Sequence, residues 1–95
     1  MGTGAARIGD TTTGHNAFPP QTILTGKAKV LIQGIPASTI GDAVSTHCNP
    51  VSCHSSEIAG GSAKVLIMGQ PSARIGDPIA CGGVIQSGSS KVLIG

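Results

Sequence analysis

The chain has 95 residues, a formal charge of +2, 11% charged residues, one Phe, no Trp, no Tyr and 15 glycines. That is room for one domain, residues 1–95, with a thin core. A chain so poor in large side chains needs a staple: a metal, disulfides or an oligomeric partner.

The few lysines and arginines are too dispersed for a nucleic-acid footprint, and no apolar run approaches membrane-spanning length. The opening Met1-Gly2-Thr3-Gly4-Ala5-Ala6-Arg7 has no apolar signal core and no myristoylation pattern, so a cytoplasmic origin is expected, with any export by a route without a cleaved peptide. Positive mean hydropathy with little charge suggests surface that a partner covers.

Val, Ile and Thr are frequent, Gly and Pro punctuate often, and no helical period lasts beyond a turn or two, so the expected class is all-β. After a short start at residues 1–4, a unit occurs three times, over about 5–34, 35–69 and 70–95. The copies open with Ile8-Gly9-Asp10, Ile40-Gly41-Asp42 and Ile75-Gly76-Asp77. They close with Lys-Val-Leu-Ile at Lys29 to Ile32, Lys64 to Ile67 and Lys91 to Ile94. Gly26, Gly61 and Gly88 each sit three residues before the closing lysine.

Each Gly-Asp reads as a turn, with Gly at positive φ and Asp bonding nearby backbone N–H groups. Arg7 and Arg74 stand where they can pair with their Asp; Thr39 holds that place in copy two, so the pair reads as optional. The Lys-Val-Leu-Ile segments read as short strands. Alternation sends Val30, Ile32, Val65, Ile67, Val92 and Ile94 to a shared apolar axis and Leu31, Leu66 and Leu93 away from it. Either loops fold over those leucines or they dock on another protein.

The acidic residues lead to a metal constellation. His15 follows Asp10 by five residues, His47 follows Asp42 by five, and Cys81 follows Asp77 by four. If the copies surround a pseudo-threefold axis, these side chains converge on it, and His54 closes the set. Three imidazoles and one thiolate form a tetrahedral shell, as in structural zinc, without the open position that catalytic zinc keeps for water. Three readings stand open for Cys48 and Cys53: a small disulfide, a pair of buried thiols, or one of them replacing a histidine as ligand.

The repeats resemble the PAAR-repeat family. The motif itself is frayed, as Gly4-Ala5-Ala6-Arg7, Pro36-Ala37-Ser38-Thr39 and Pro71-Ser72-Ala73-Arg74, but Ile-Gly-Asp, the Lys-Val-Leu-Ile strands and Cys81-Gly82-Gly83 fit closely, over nearly the whole chain. The resemblance implies a small pointed cone of pseudo-threefold β structure, with one structural zinc near the vertex on three His and one Cys. That count fits His15, His47, His54 and Cys81. It also implies a broad base seated on the trimeric β-helical spike (VgrG) of a type VI secretion system or on a related contractile phage tail spike. The tip would be ejected to the exterior or carried in the virion, would touch a target membrane only transiently while piercing it, and would be either a bare tip or one that recruits effector proteins without covalent attachment.

Two other classes compete. A small zinc hydrolase would use Glu57 or a cysteine, but a four-ligand site leaves no place for water. A metal or redox carrier would use Cys48, Cys53 and Cys81, one cysteine short of the usual iron–sulfur set.

Overall fold

The computed structural model describes residues 2–14, 18–48 and 50–95. Among them it has eight short strands and no helix: β1 Thr3–Gly4, β2 Lys27–Ile32, β3 Ile35–Ala37, β4 Ala43–Cys48, β5 Cys53–Glu57, β6 Leu66–Ile67, β7 Gln70–Pro71 and β8 Leu93–Ile94. They pair antiparallel as β1 with β8, β2 with β3, β4 with β5 and β6 with β7. The molecule is longer than it is wide, 38 × 25 × 20 Å.

Backbone hydrogen bonds run between the copies and close on themselves. Ala6 N–H donates to Ala73 O (2.9 Å), Ala73 N–H to Ser38 O (2.9 Å), and Ser38 N–H to Ala6 O (3.0 Å). A second ring joins Leu24 N–H to Ala43 O, Ala59 N–H to Pro78 O and Gln86 N–H to Thr11 O, all at 2.8 Å. Each copy contributes equally to each ring, so backbone groups that short strands would leave open are satisfied by the neighbouring copy.

Two apolar layers stack inside. One contains Ile23, Ile58 and Ile85 with Ala6, Ala73, Val44 and Ile79, and Cys81 packs against it. The other contains Ile32, Ile67 and Ile94 with Ala5 and Ala37. The alternation expected of the closing segments is present: the three isoleucines are buried, while Leu31, Leu66 and Leu93 are 58%, 60% and 59% exposed. Among the described residues no loop folds over the leucines. Val30 and Val65 pack against the second layer, whereas Val92 stays partly exposed.

The strands are shorter than expected in copies two and three, for a local reason. Ser62 Oγ accepts the N–H groups of Lys64 and Val65, and Ser89 Oγ those of Lys91 and Val92. Each serine hydroxyl bends the chain into a side-chain turn and delays the strand by two residues. Copy one has Lys27 at the matching position, which offers no acceptor, and β2 runs unbroken from there.

The glycines before these segments are needed for close approach. A Cβ on Gly26, Gly61 or Gly88 would lie 2.8 to 2.9 Å from the carbonyl oxygen of Ala37, Pro71 or Ala5 in the backbone alongside.

The Gly-Asp turns match one another. Gly9, Gly41 and Gly76 have φ of 90°, 92° and 94°. Asp10, Asp42 and Asp77 each accept the backbone N–H of the residue three before, at 2.8, 2.8 and 2.7 Å. Arg7 and Arg74 pair with Asp10 and Asp77 as expected. Copy two departs from expectation, because its carboxylate also has a cation. Lys27 Nζ reaches Asp42 Oδ1 and Oδ2 at 3.0 and 3.1 Å, with Thr25 Oγ1 donating at 2.9 Å. The cation comes from 15 residues away, where local spacing gives no hint of it.

Candidate metal centre

Beyond the first apolar layer, β4 and β5 carry the metal-ligand candidates. His47 opposes His54 and Cys48 opposes Cys53. Neighbours along a strand face opposite ways, so His47 is buried and His54 half-buried while both cysteines face outward. Val44 and His47 are three apart, yet both point inward. Strict alternation forbids this. The register shift between Val44 and His47 supplies the extra residue, a bulge that re-aims the imidazole. Ser45 pins the bulge: its N–H donates to Thr22 O, its Oγ accepts from Thr22 N–H at 2.9 Å, and its carbonyl accepts from Gln21 Nε2 at 2.8 Å.

His47 Nδ1 lies 2.6 Å from Pro19 O. A carbonyl oxygen only accepts, so Nδ1 carries the hydrogen and Nε2 presents its lone pair inward. That Nε2 is 2.6 Å from His54 Nε2 and 3.9 Å from Cys81 Sγ. The ligand atoms of His47, His54 and Cys81 lie within 4.8 Å of one another. Zinc bonds of about 2.0–2.3 Å place tetrahedral ligand atoms roughly 3.3–3.7 Å apart, so the two imidazole nitrogens, 2.6 Å apart, would have to separate to admit an ion, while the 3.9 Å sulfur contact is already close to that spacing. Two imidazoles and a thiol are a donor set for a borderline to soft divalent ion.

Cys81 is held from two sides. Its N–H donates to Ser56 Oγ at 3.0 Å, and its thiol donates to Gln21 Oε1 at 3.5 Å. Phe18 stacks on His47 with centroids 4.7 Å apart and lies 4.2 Å from the His54 ring. The single aromatic side chain of the protein therefore covers the imidazoles, a role the spacing argument missed although Phe18 stands close to His15 in sequence.

Of the four expected ligands, three come together and His15 lies outside the described residues. The open question over Cys48 and Cys53 is answered by a disulfide between them. Neither is a buried thiol, and neither takes a histidine's place. Leu31, Leu66 and Leu93 lie beside the second apolar layer, away from this cluster.

No curated protein matches the chain closely enough to count as a relative. The family model of the PAAR motif matches residues 13–87, a span that takes in β2 to β7, the His/His/Cys cluster and the second and third Gly-Asp turns. With most of its length matched by that motif, the chain belongs to the PAAR-motif family.

Proposed function

We propose that this protein is the tip of a secretion or phage tail spike: a zinc-clipped cap that sits on a trimeric β-helical spike of the VgrG kind, sharpens it for piercing a target envelope, and carries effectors into the target. The observation that carries the reading is the trio of Leu31, Leu66 and Leu93, equally exposed at matched positions of the three copies. A monomer with three similar faces can meet a trimer with three identical ones. Contact there would remove from water the part of each leucine still exposed, close to 60%, contributing about 1–2 kcal/mol per side chain.

At the other pole, His47, His54 and Cys81, with His15, would hold one zinc ion. The ion would cross-link loops from all three copies where the apolar layers have ended, so that its binding free energy adds to folding. With four protein ligands the ion would be structural, and the chain would work as a mechanical part, with no catalytic role. The protein would be made in the cytoplasm and leave it on the spike, or be built into a virion.

The test is native mass spectrometry of the protein mixed with a trimeric β-helical spike fragment. The expected species is one copy per trimer. A complex with a monomeric fragment, or none at micromolar concentration, would overturn the docking role. Elemental analysis is expected to find about one zinc per chain.

A further inference from the structure

The Cys48–Cys53 disulfide lies on the outer face of the hairpin whose inner face carries His47 and His54. The two pairs are adjacent rungs: His47 opposes His54, and Cys48 opposes Cys53. The Cα atoms of the cysteines are 4.0 Å apart, the close approach of a non-hydrogen-bonded antiparallel pair. Below the histidines the ladder is interrupted by the shift between Val44 and His47. The regular pairing of Ala43 with Glu57 and Val44 with Ser56 therefore does not transmit its register to the tip. Above the histidines the cysteine pair is the last rung of the ladder. A slip of one residue would send an imidazole to the outer face.

We propose that this disulfide is a positioning device for the metal centre. Bonded across the rung next to the histidines, it fixes the register of His47 and His54, so the pair stays assembled before an ion binds and after one leaves. The proposal rests on the metal reading above. It assigns the two cysteines a role distinct from ligation: they orient the ligands through the backbone, and Cys81 alone supplies sulfur.

The variant Cys48→Ser/Cys53→Ser removes the bond and leaves no odd thiol. A second variant, Cys48→Val/Cys53→Val, keeps apolar cross-strand packing without the covalent link. Ile94→Val, a change in the second apolar layer, which contains no residue of the hairpin, controls for stability loss alone. Zinc affinity of each folded protein is measured by competition with a chromophoric chelator. Amide hydrogen exchange over residues 47–54 is measured on zinc-stripped protein.

Both cysteine variants are expected to bind zinc about ten- to a hundred-fold more weakly than the parent, the range seen when a group that orients a ligating histidine is lost. They are also expected to lose exchange protection over 47–54 when stripped, while Ile94→Val changes neither. If the serine pair does not fold, the valine pair decides. Affinity and protection within twofold of the parent would overturn the positioning role and leave the metal reading standing. A parent protein that binds no zinc would overturn both.

Discussion

The Asp77 turn gives the sharpest test of how this fold is held. Asp77 Oδ2 accepts the Arg74 backbone N–H at 2.7 Å and Nε at 3.0 Å, and Oδ1 accepts Nη2 at 2.7 Å. Asp77→Ala removes the acceptor of a part-buried backbone N–H, which costs about 1–3 kcal/mol. The ion pair adds only about 1 kcal/mol, because the Arg74 side chain is 27% exposed and its charge is screened. The guanidinium is not stranded, since it also donates to Gly95 O and Gly61 O. The sum is about 2–4 kcal/mol, which for a domain of this size lowers Tm by roughly 10–25 °C. Asp77→Asn keeps one oxygen for the backbone N–H but turns an NH2 group toward the guanidinium, so it should fall between alanine and wild type. Thermal unfolding by circular dichroism reads all three, with exposed Glu57→Gln as a control expected within about 0.5 kcal/mol of wild type. If Asp77→Ala costs no more than Glu57→Gln, the acidic turns do not hold the copies together.

The same turn gives a pH prediction. The hydrogen bond to Asp77, helped by charge attraction and opposed by desolvation, raises the Arg74 pKa. A raised pKa means the stabilisation is present at every pH below the ordinary arginine value and is lost only above it. Arg74→Lys should therefore make the protein alkali-sensitive as pH passes about 10.4, while the parent shows no loss there from this pair; Tm against pH separates the two. Ile85→Ala, at a fully buried site, should cost about 2–5 kcal/mol in denaturant unfolding, against less than about 0.5 for Leu66→Ala. The triple change of Leu31, Leu66 and Leu93 to Ser should leave the fold intact by circular dichroism and abolish capture by a trimeric spike fragment. Cys81→Ser and His15→Ala should each reduce zinc content on elemental analysis.

What could be read in advance was whatever repeats. Three Ile-Gly-Asp turns and three Val-x-Ile alternations each follow from local chemistry, and repetition tripled the signal. The exceptions within the repeat were harder to see. Lys27 replaces the serine found at Ser62 and Ser89, and one substitution both lengthens β2 and supplies the cation for Asp42. The first effect is local, but the second spans 15 residues, so spacing alone could not reveal it.

At the candidate metal centre, the approach of His47 to Cys81 could be inferred from their offsets to Asp42 and Asp77. The bulge that turns His47 inward could not, because β alternation counted from Val44 would place that ring outside. The Cys48–Cys53 bond was one of three open readings. Only the cross-strand pairing decides it, since a five-residue spacing suits a hairpin and a loose loop alike.

The hairpins suggest where this chain can be cut. β2–β3 and β6–β7 are joined by two-residue turns, Gln33-Gly34 and Met68-Gly69, with positive φ at both residues. β1 and β8 pair in the matching way, with Thr3 beside Ile94 and Gly4 beside Leu93, but no peptide bond links them. The molecule is thus a loop of polypeptide opened at one of three similar corners. A circularly permuted gene, opened between Gln33 and Gly34 and joined across the old ends by a short glycine linker, should encode the same structure. A fusion partner could then be moved from one corner of the cap to another without disturbing the rest.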